Sequence, residues 1–170
     1  MSDQPLNGKV AVVTGASRGL GRAMSLSLAE AGASIACVGR DEGRLLETKA
    51  LINDAGAEAE IFVCDVRHES QVGDLEKRVS ERFGPVHILI NNAGTAIRKN
   101  LIDFSLDEWN VVLDTNLTGV FLCSRAFVPH MKTHKWGRVI NMTSIMANVG
   151  SAGRSAYCAS KHGVLAITKT

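Results

Sequence analysis

The chain has 170 residues, which is enough for one domain with a hydrophobic core and too few to argue for two. Apolar residues make up 45% of the chain and charged residues 21%, so the composition excludes a disordered or fibrous protein. The net charge of +2 comes from scattered basic residues, so a nucleic acid is not an expected partner.

The N-terminus and the cysteines favour a cytoplasmic location. Residues 1–5 have neither a cationic start nor an apolar stretch of signal length, and no apolar run approaches the ~20 residues needed to cross a bilayer. Cys37, Cys64, Cys123 and Cys158 are far apart and form no spacing typical of metal ligands, so we expect them to be reduced. Neither a membrane nor a metal partner is expected.

Short β-branched runs alternate with longer stretches of helical periodicity, which predicts repeated βαβ units and a parallel sheet. In chain order the predicted strands are Lys9–Thr14, Ser34–Gly39, Ala59–Cys64, Val86–Asn91 and Gly137–Thr143. The predicted helices between them are Leu20–Ala31, Glu42–Ala55, Glu69–Phe83 and Leu106–Lys132. Right-handed crossovers favour an α/β, doubly wound sheet with helices on both faces and its order change between the first and fourth strands.

The end of the chain departs from this regular pattern. Arg154–Thr170 is predicted to be helical, yet it stops without a capping glycine, a proline or a following strand. We therefore expect a single domain, residues 1–170, that is incomplete at its C-terminus, with the last strands missing and the fifth strand at an exposed edge.

A glycine-rich segment follows the first strand directly and opens into a helix. Its pattern is GxxxGxG, rather than GxGxxG or the GxxxxGK[ST] of ATPases. Backbone N–H groups and the helix dipole at such a turn favour a pyrophosphate, although a tight strand-to-helix turn without a ligand is the alternative. The candidate cofactor-binding residues here are Gly15, Ser17, Arg18, Gly19, Leu20 and Gly21.

Tyr157 and Lys161 are four residues apart on the last predicted helix, so their side chains share one face. A free tyrosine is a poor base at neutral pH, but a nearby ammonium stabilises its phenolate. The spacing therefore predicts a tyrosine that can exchange a proton with a ligand.

The glycine loop and five further motifs resemble the short-chain dehydrogenase/reductase family over almost the whole chain. The motifs are Asp65 after the third strand, Asn91-Asn92-Ala93-Gly94 after the fourth, Asn116 in the long helix, Ser144 after the fifth strand, and Tyr157-x-x-x-Lys161. Tyr157 follows Ser144 by 13 residues, as in this family. Epimerases of the extended branch share the Tyr-Lys pair but normally carry a GxxGxxG loop, so the loop disfavours them.

The resemblance implies a Rossmann-type oxidoreductase that transfers a hydride between a nicotinamide cofactor and a carbonyl or secondary alcohol. It implies that Tyr157 is the general acid and base, while Lys161 favours its phenolate and binds the nicotinamide ribose. Ser144 would hold the substrate oxygen, and Asn116 would join Lys161 to solvent through water.

The resemblance also assigns cofactor contacts beyond the glycine loop. It implies that Asp65 contacts the adenine with the Val66 backbone nearby, and that Asn92, Ala93 and Gly94 lie along the ribose. A strand-end aspartate and a simple turn are the alternatives for these two segments.

The end of the second strand indicates which cofactor is bound. A carboxylate there accepts a hydrogen bond from the ribose 2′-OH, whereas this chain has Arg40, which can pair with a 2′-phosphate. Arg18 can approach the same phosphate, so NADP(H) is expected over NAD(H). Asp41 leaves NAD(H) as an alternative, although its expected role is to cap the next helix.

Substrate and assembly are less defined by the sequence. Residues 95–98 and 145–150 are expected to line the substrate, and their mixed character fits a sugar acid, a polyol or a 3-oxoacyl thioester. The pattern is similar to the gluconate 5-dehydrogenase and 3-oxoacyl carrier-protein reductase branches, and the family implies a homodimer or homotetramer in the full-length form. A dinucleotide-binding protein without turnover is the alternative, because the part that covers the substrate is absent.

Three histidines have no role in this scheme. His130 and His134 are at helical spacing but lack a third metal ligand, so a solvated helix end is expected. His162 is expected to be a packing or surface residue.

Overall fold

The computed structural model describes residues 4–170, so residues 1–3 of the N-terminal stretch discussed above lie outside the described residues. The strands are β1 (Val10–Thr14), β2 (Ser34–Gly39), β3 (Ala59–Val63), β4 (Ile88–Asn91) and β5 (Arg138–Asn141). The helices are α1 (Gly19–Glu30), α2 (Glu42–Asp54), α3 (Glu69–Phe83), α4 (Leu106–Leu113), α5 (Gly119–Thr133) and α6 (Ser155–Thr168). Each predicted strand and helix is present, with bounds that differ by at most a few residues.

The five strands form one parallel sheet in the order β3-β2-β1-β4-β5. β1 is central, and the direction in which strands are added reverses between β1 and β4, as predicted. Ligands of such sheets bind outside the carboxyl ends of the strands at this reversal. The fold is therefore a doubly wound Rossmann-type α/β sheet.

Alternation along β1 divides the core into two layers. Val10 and Val12 belong to the apolar cluster that α3 and α5 cover, whereas Ala11 and Val13 belong to the cluster under α1 and α2. Because successive strand residues point to opposite faces, a strand covered on both sides must be apolar throughout. This explains the continuous run of apolar residues that identified β1.

The predicted long helix is continuous from Leu106 to Thr133, but a π-helical turn, Asp114–Thr118, separates α4 from α5. By length and composition alone it is long and apolar enough to cross a membrane, with a mean hydropathy of 1.3 over 18 residues. The expectation that no stretch approaches this length was therefore wrong. Leu122 and Phe127 are buried against the sheet, so the core accounts for its apolar character.

The fifth strand lies at the edge of the described sheet, where it pairs with β4. Val139 and Ile140 are 37% and 45% exposed, in agreement with the expected exposed edge. α6 packs against the end of β5, against α4 and against the π-helical turn, which brings the last predicted helix beside the middle of the long one.

The prediction of a solvated helix end was wrong for His130. Its Nδ1 accepts a hydrogen bond from the Val86 N–H at 3.3 Å, and its Nε2 lies 2.7 Å from Glu76 Oε1. The end of α5 is docked against α3 and the segment before β4, which is why this ring is only partly exposed. His134 is exposed, with its ring 6.1 Å from that of His87.

All four cysteines are free, and Cys37, Cys64 and Cys123 are buried. Burial raises the pKa of the Cys37 thiol to about 12, so this thiol is a packing residue rather than a reactive one. Among residues 4–170, no group of three or more His, Cys, Asp or Glu side chains is arranged to hold a metal ion.

Candidate functional site

A cleft of about 770 Å³ opens at the carboxyl ends of the strands, where the sheet order reverses. Its walls are the loop after β1, the ends of β2 and β3, and the segment after β4. Twelve predicted cofactor-binding residues line it, namely Gly15, Ser17, Arg18, Gly19, Leu20, Gly21, Arg40, Asp65, Val66, Asn92, Ala93 and Gly94.

Close approach of backbones requires the glycines of the loop. Gly15 and Gly19 have φ angles of +68° and +56°, a region that other residues rarely adopt. A Cβ at Gly21 would lie 2.0 Å from the Gly15 carbonyl oxygen. The N-cap residue of α1 is Arg18, whose side chain accepts no hydrogen bond from the first N–H groups of the helix. A bound anion can therefore serve as their acceptor.

Arg22 ties the glycine loop to α2. Its guanidinium donates to Ser17 O at 2.9 Å, to Thr48 Oγ1 at 2.9 Å and to Glu47 Oε2 at 2.8 Å. The Thr48 hydroxyl in turn donates to Ala16 O at 3.0 Å. Arg22 is not among the residues predicted from the sequence, although a basic residue directly after the third glycine is a recognisable signal.

Thr14 joins the ends of β1 and β4. Its Oγ1 accepts hydrogen bonds from the N–H groups of Asn92 and Ala93 at 2.9 and 3.0 Å. The Asn92 amide donates to Thr14 O at 3.0 Å and to Gly15 O at 3.3 Å. Asn92 thus lines the cleft as predicted, while its side chain holds the glycine loop.

The end of β2 presents a cation to the cleft. The Arg40 side chain is 67% exposed, and its guanidinium lies 3.8 Å from Asp65 Oδ2. Asp41 caps α2 by accepting a hydrogen bond from the Arg44 N–H at 3.1 Å, and its carboxylate lies 3.4 Å from the Arg44 guanidinium. This is the capping role expected of Asp41.

Asp65 follows β3 and lines the cleft, and the Arg67 guanidinium beside it holds the pKa of its carboxyl below the usual range. Val66 is buried, and its side chain packs tightly against Gly119 at the start of α5. These contacts fix the segment that is expected to contact the adenine.

The Tyr157–Lys161 pair lies on one face of α6. Lys161 Nζ is 5.8 Å from the centre of the Tyr157 ring and donates to Met142 O at 2.5 Å. Burial lowers the pKa of the Lys161 ammonium, because few groups replace the water that it has lost. Nζ is therefore held near the phenol by the backbone at the end of β5.

Asn116 is fully buried in the π-helical turn. Its Oδ1 accepts from the Thr95 N–H at 2.8 Å, and its Nδ2 donates to Thr95 O at 2.9 Å and to Ser160 Oγ at 3.0 Å. A Cβ placed on Gly94 would lie 3.4 Å from Asn116 Oδ1 and 3.9 Å from Lys161 Nζ. The cofactor-binding and catalytic candidates therefore meet at Gly94.

Ser144 begins the short 3₁₀ turn Ile145–Ala147, and its Oγ accepts from the Met146 N–H at 3.2 Å. His162 Nδ1 donates to Ala147 O at 2.6 Å, which ties this turn to α6. His162 is predicted from the sequence only as a packing or surface residue, because no local pattern reveals a partner 15 positions away.

A doubly wound sheet with a glycine-loop cleft at its order change, ending beside a tyrosine–lysine pair, defines a dinucleotide-binding domain of the oxidoreductase type. The family model described as short chain dehydrogenase matches residues 9–170. The chain therefore belongs to the short-chain dehydrogenase family.

Named relatives agree with this assignment. The chain is 38% identical over 166 residues to a 3-oxoacyl-[acyl-carrier-protein] reductase of Synechocystis, covering 97% of this chain and 67% of the relative. It is 36% identical over 165 residues to a D-beta-hydroxybutyrate dehydrogenase of Rhizobium meliloti, covering 95% of this chain and 64% of the relative.

Solved structures are equally similar. A metagenomic short-chain oxidoreductase in complex with NADP has a TM-score of 0.94 at 36% identity, covering 96% of this chain and 75% of the other. An NAD+-bound xylitol dehydrogenase has a TM-score of 0.93 at 35% identity, covering 96% of this chain and 64% of the other. The chain thus spans about two thirds of the length of several of these relatives.

The close approach at Gly21 gives a direct test of the glycine loop. We expect Gly21→Ala to lower the free energy of unfolding by about 1–3 kcal/mol, because the new methyl meets the backbone of Gly15. Gly73→Ala is the matched control, since this helical glycine has open space around its Cα and should gain about 0.5–1 kcal/mol. Urea unfolding of both variants checks this, and equal stability of the two would contradict the packing described.

Proposed function

We propose that this chain binds NADP(H) in the cleft and transfers a hydride between it and a carbonyl or secondary alcohol substrate. The observation that carries the proposal is the position of Gly94, which lines the cleft and lies beside Lys161. A dinucleotide along the cleft would thereby bring its reactive ring toward the Tyr157–Lys161 pair.

The residues present fit such a cofactor. Gly15, Gly19 and Gly21 leave three positions of the loop without a side chain near the start of α1, where a pyrophosphate can approach the backbone, and Arg18 and Arg40 line the same cleft. Asp65 and Val66 line its far end, where an adenine would lie. When bound, the nicotinamide supplies or accepts the hydride.

The chemistry of this chain's own residues is a proton transfer. During reduction Tyr157 would donate its hydroxyl proton to the substrate oxygen as the carbonyl carbon gains the hydride, leaving a phenolate that Lys161 stabilises. Ser144 would donate a hydrogen bond to the same oxygen and orient the substrate. Oxidation of an alcohol runs these steps in reverse.

Arg40 supports NADP(H) over NAD(H). Its exposed guanidinium offers a bidentate partner for a 2′-phosphate at the end of β2, and Asp41 is engaged with the start of α2. The likeness to solved structures does not choose between the cofactors, since one of them holds NADP and another NAD+. The choice therefore depends on Arg40.

Titration with NADPH and NADH, followed by nicotinamide fluorescence, tests the binding. We expect NADPH to bind at least about tenfold tighter, and Arg40→Asp to lose that preference, because an aspartate repels the 2′-phosphate. Lys77→Asp makes the same charge change on the exposed side of α3 and should leave both affinities unchanged. Equal binding of the two cofactors by the unaltered protein would reject the NADP(H) assignment.

Tyr157→Phe tests the proton transfer. We expect NADPH binding to persist while the rate of NADPH oxidation by carbonyl substrates falls by about 10²–10⁴-fold, because the variant lacks the proton donor. The substrates compared are an oxidised sugar acid, a ketose and a 3-oxoacyl thioester. Cys158→Ala, at the adjacent position, should keep full activity; equal rates for Tyr157→Phe and the unaltered protein would remove Tyr157 from the mechanism.

A dinucleotide-binding protein without turnover is the second candidate. The chain spans 64–67% of the length of the named relatives, so turnover by these residues has to be tested separately from binding. NADPH binding without oxidation of any of the three substrates would support this candidate over the first.

We also propose that the chain self-associates through α5 and α6. A groove of about 600 Å³ between these helices is lined by the apolar residues Phe121, Val128, Pro129 and Ile167 together with Ser124, Arg125, Lys132 and Thr133, and Phe121 is 47% exposed. Exposed apolar grooves of this kind are typical of association surfaces, and the family resemblance points to the same helices.

Light scattering tests the association. We expect the unaltered chain to be a dimer or tetramer and Phe121→Asp to be a monomer, because a charge in the apolar groove opposes its burial. Leu46→Asp, at a residue of α2 that is 50% exposed, is the control and should not change the mass. A monomeric unaltered chain would contradict the proposal.

A further inference from the structure

The end of the cleft between β2 and β3 carries charges of both signs. Arg18, Arg40 and Arg44 line it, and so do the carboxylates of Asp41 and Asp65. A 2′-phosphate carries about two negative charges, so two free carboxylates beside it would oppose binding. Whether this end of the cleft accepts a phosphate therefore depends on which cation each carboxylate is paired with.

The Asp41 carboxylate is bound by Arg44, in the first turn of α2. It accepts a hydrogen bond from the Arg44 N–H at 3.1 Å, and the Arg44 guanidinium lies 3.4 Å from its other oxygen. Both of its carboxylate oxygens thus have partners on the first turn of the helix.

Asp65 is held by Arg67, two residues further along the chain. Arg67 Nε lies 3.0 Å from each carboxylate oxygen, one terminal nitrogen of its guanidinium lies 2.6 Å from Oδ2, and its backbone N–H donates to Oδ1 at 3.1 Å. The Asp65 side chain is only 15% exposed and that of Arg67 is 27% exposed, so water screens this pair less than a surface pair. Arg67 itself does not line the cleft.

Arg40 is the other cation within ion-pair distance of Asp65, with 3.8 Å between its terminal nitrogen and Oδ2. Two arginines therefore face one carboxylate, and the nearer, multiply bonded one is Arg67. Because Arg67 satisfies the carboxylate, the guanidinium of Arg40 keeps its charge available to the cleft.

We infer that Arg67 is a positioning residue that sets the preference for a 2′-phosphorylated dinucleotide by binding the Asp65 carboxylate, so that Arg40 makes only a long contact of 3.8 Å with it. This inference rests on the proposed function, since it concerns the same cofactor. Without Arg67, Asp65 pairs with Arg40. The 2′-phosphate then finds Arg40 already paired and is repelled by the nearby carboxylate. NADH, which lacks the phosphate, is little affected.

The test compares the NADPH and NADH dissociation constants of the unaltered protein, Arg67→Met, Asp65→Asn and the double variant. We expect Arg67→Met to lower the ratio of NADPH to NADH affinity about tenfold, which corresponds to about 1.4 kcal/mol. In the Asp65→Asn background the same change should leave the ratio unaltered, because no carboxylate remains to turn to Arg40. Arg78→Met, on α3 and paired with Asp74, is the matched control and should have no effect on the ratio.

The ratio separates a positioning role from a purely structural one. If Arg67→Met weakens both cofactors by the same factor, or lowers the ratio equally in the Asp65→Asn background, the inference is wrong. An unaltered protein that binds neither cofactor, or that prefers NADH, instead overturns the proposed function itself. Binding of NADPH with a ratio that is insensitive to Arg67 overturns only the inference.

Discussion

The Thr14 hydroxyl holds together the two strand ends between which the whole site is built. It donates to Ile90 O at 3.2 Å and accepts from the N–H groups of Asn92 and Ala93. A hydroxyl has one hydrogen and two lone pairs, so this buried group is fully satisfied. The glycine loop leaves β1 and the segment 92–94 leaves β4 at fixed positions because of this junction, and the cleft is the space between them.

The carbonyl groups of the glycine loop are bound by side chains from outside it. Asn92 donates to the carbonyls of residues 14 and 15, Thr48 to that of residue 16, and Arg22 to that of residue 17. Glycine-rich loops lose much conformational entropy on ordering, so these bonds stabilise a conformation the loop would otherwise leave. Because the carbonyl oxygens of the loop are hydrogen-bonded to these side chains, its backbone N–H groups can face an anion in the cleft.

The fold and most candidate residues could be predicted from the sequence, because the patterns that indicate them lie within short segments of the chain. Apolar runs that must be buried on both faces identified β1 and β2, and GxxxGxG reflects the contact of Gly21 with Gly15. The partners of Arg22, Arg67 and His162 could not be predicted in the same way, since each depends on how separate elements pack or how one turn is oriented. The single-domain boundary, the cytoplasmic location and the roles of the site residues stay predictions.

The π-helical turn explains how one long helix serves both the core and the site. α5 buries its apolar face against the sheet, whereas α4 packs against α6, so the helix must change the face it presents between the two. A wider turn with an added residue makes that change, and π-turns are frequent at functional sites. Asn116 stands at the change of face and binds Thr95 on one side and Ser160 on the other.

Both amide hydrogens of Asn116 are thereby committed to protein acceptors, and its oxygen accepts a further bond. Its side chain therefore links three segments of the chain, and the water relay expected of Asn116 stays a prediction. The segments it joins are the one after β4, which lines the cofactor cleft, the long helix, and α6, which carries Lys161. Asn116 therefore connects the segment after β4, which lines the cleft, with the helix that carries Lys161.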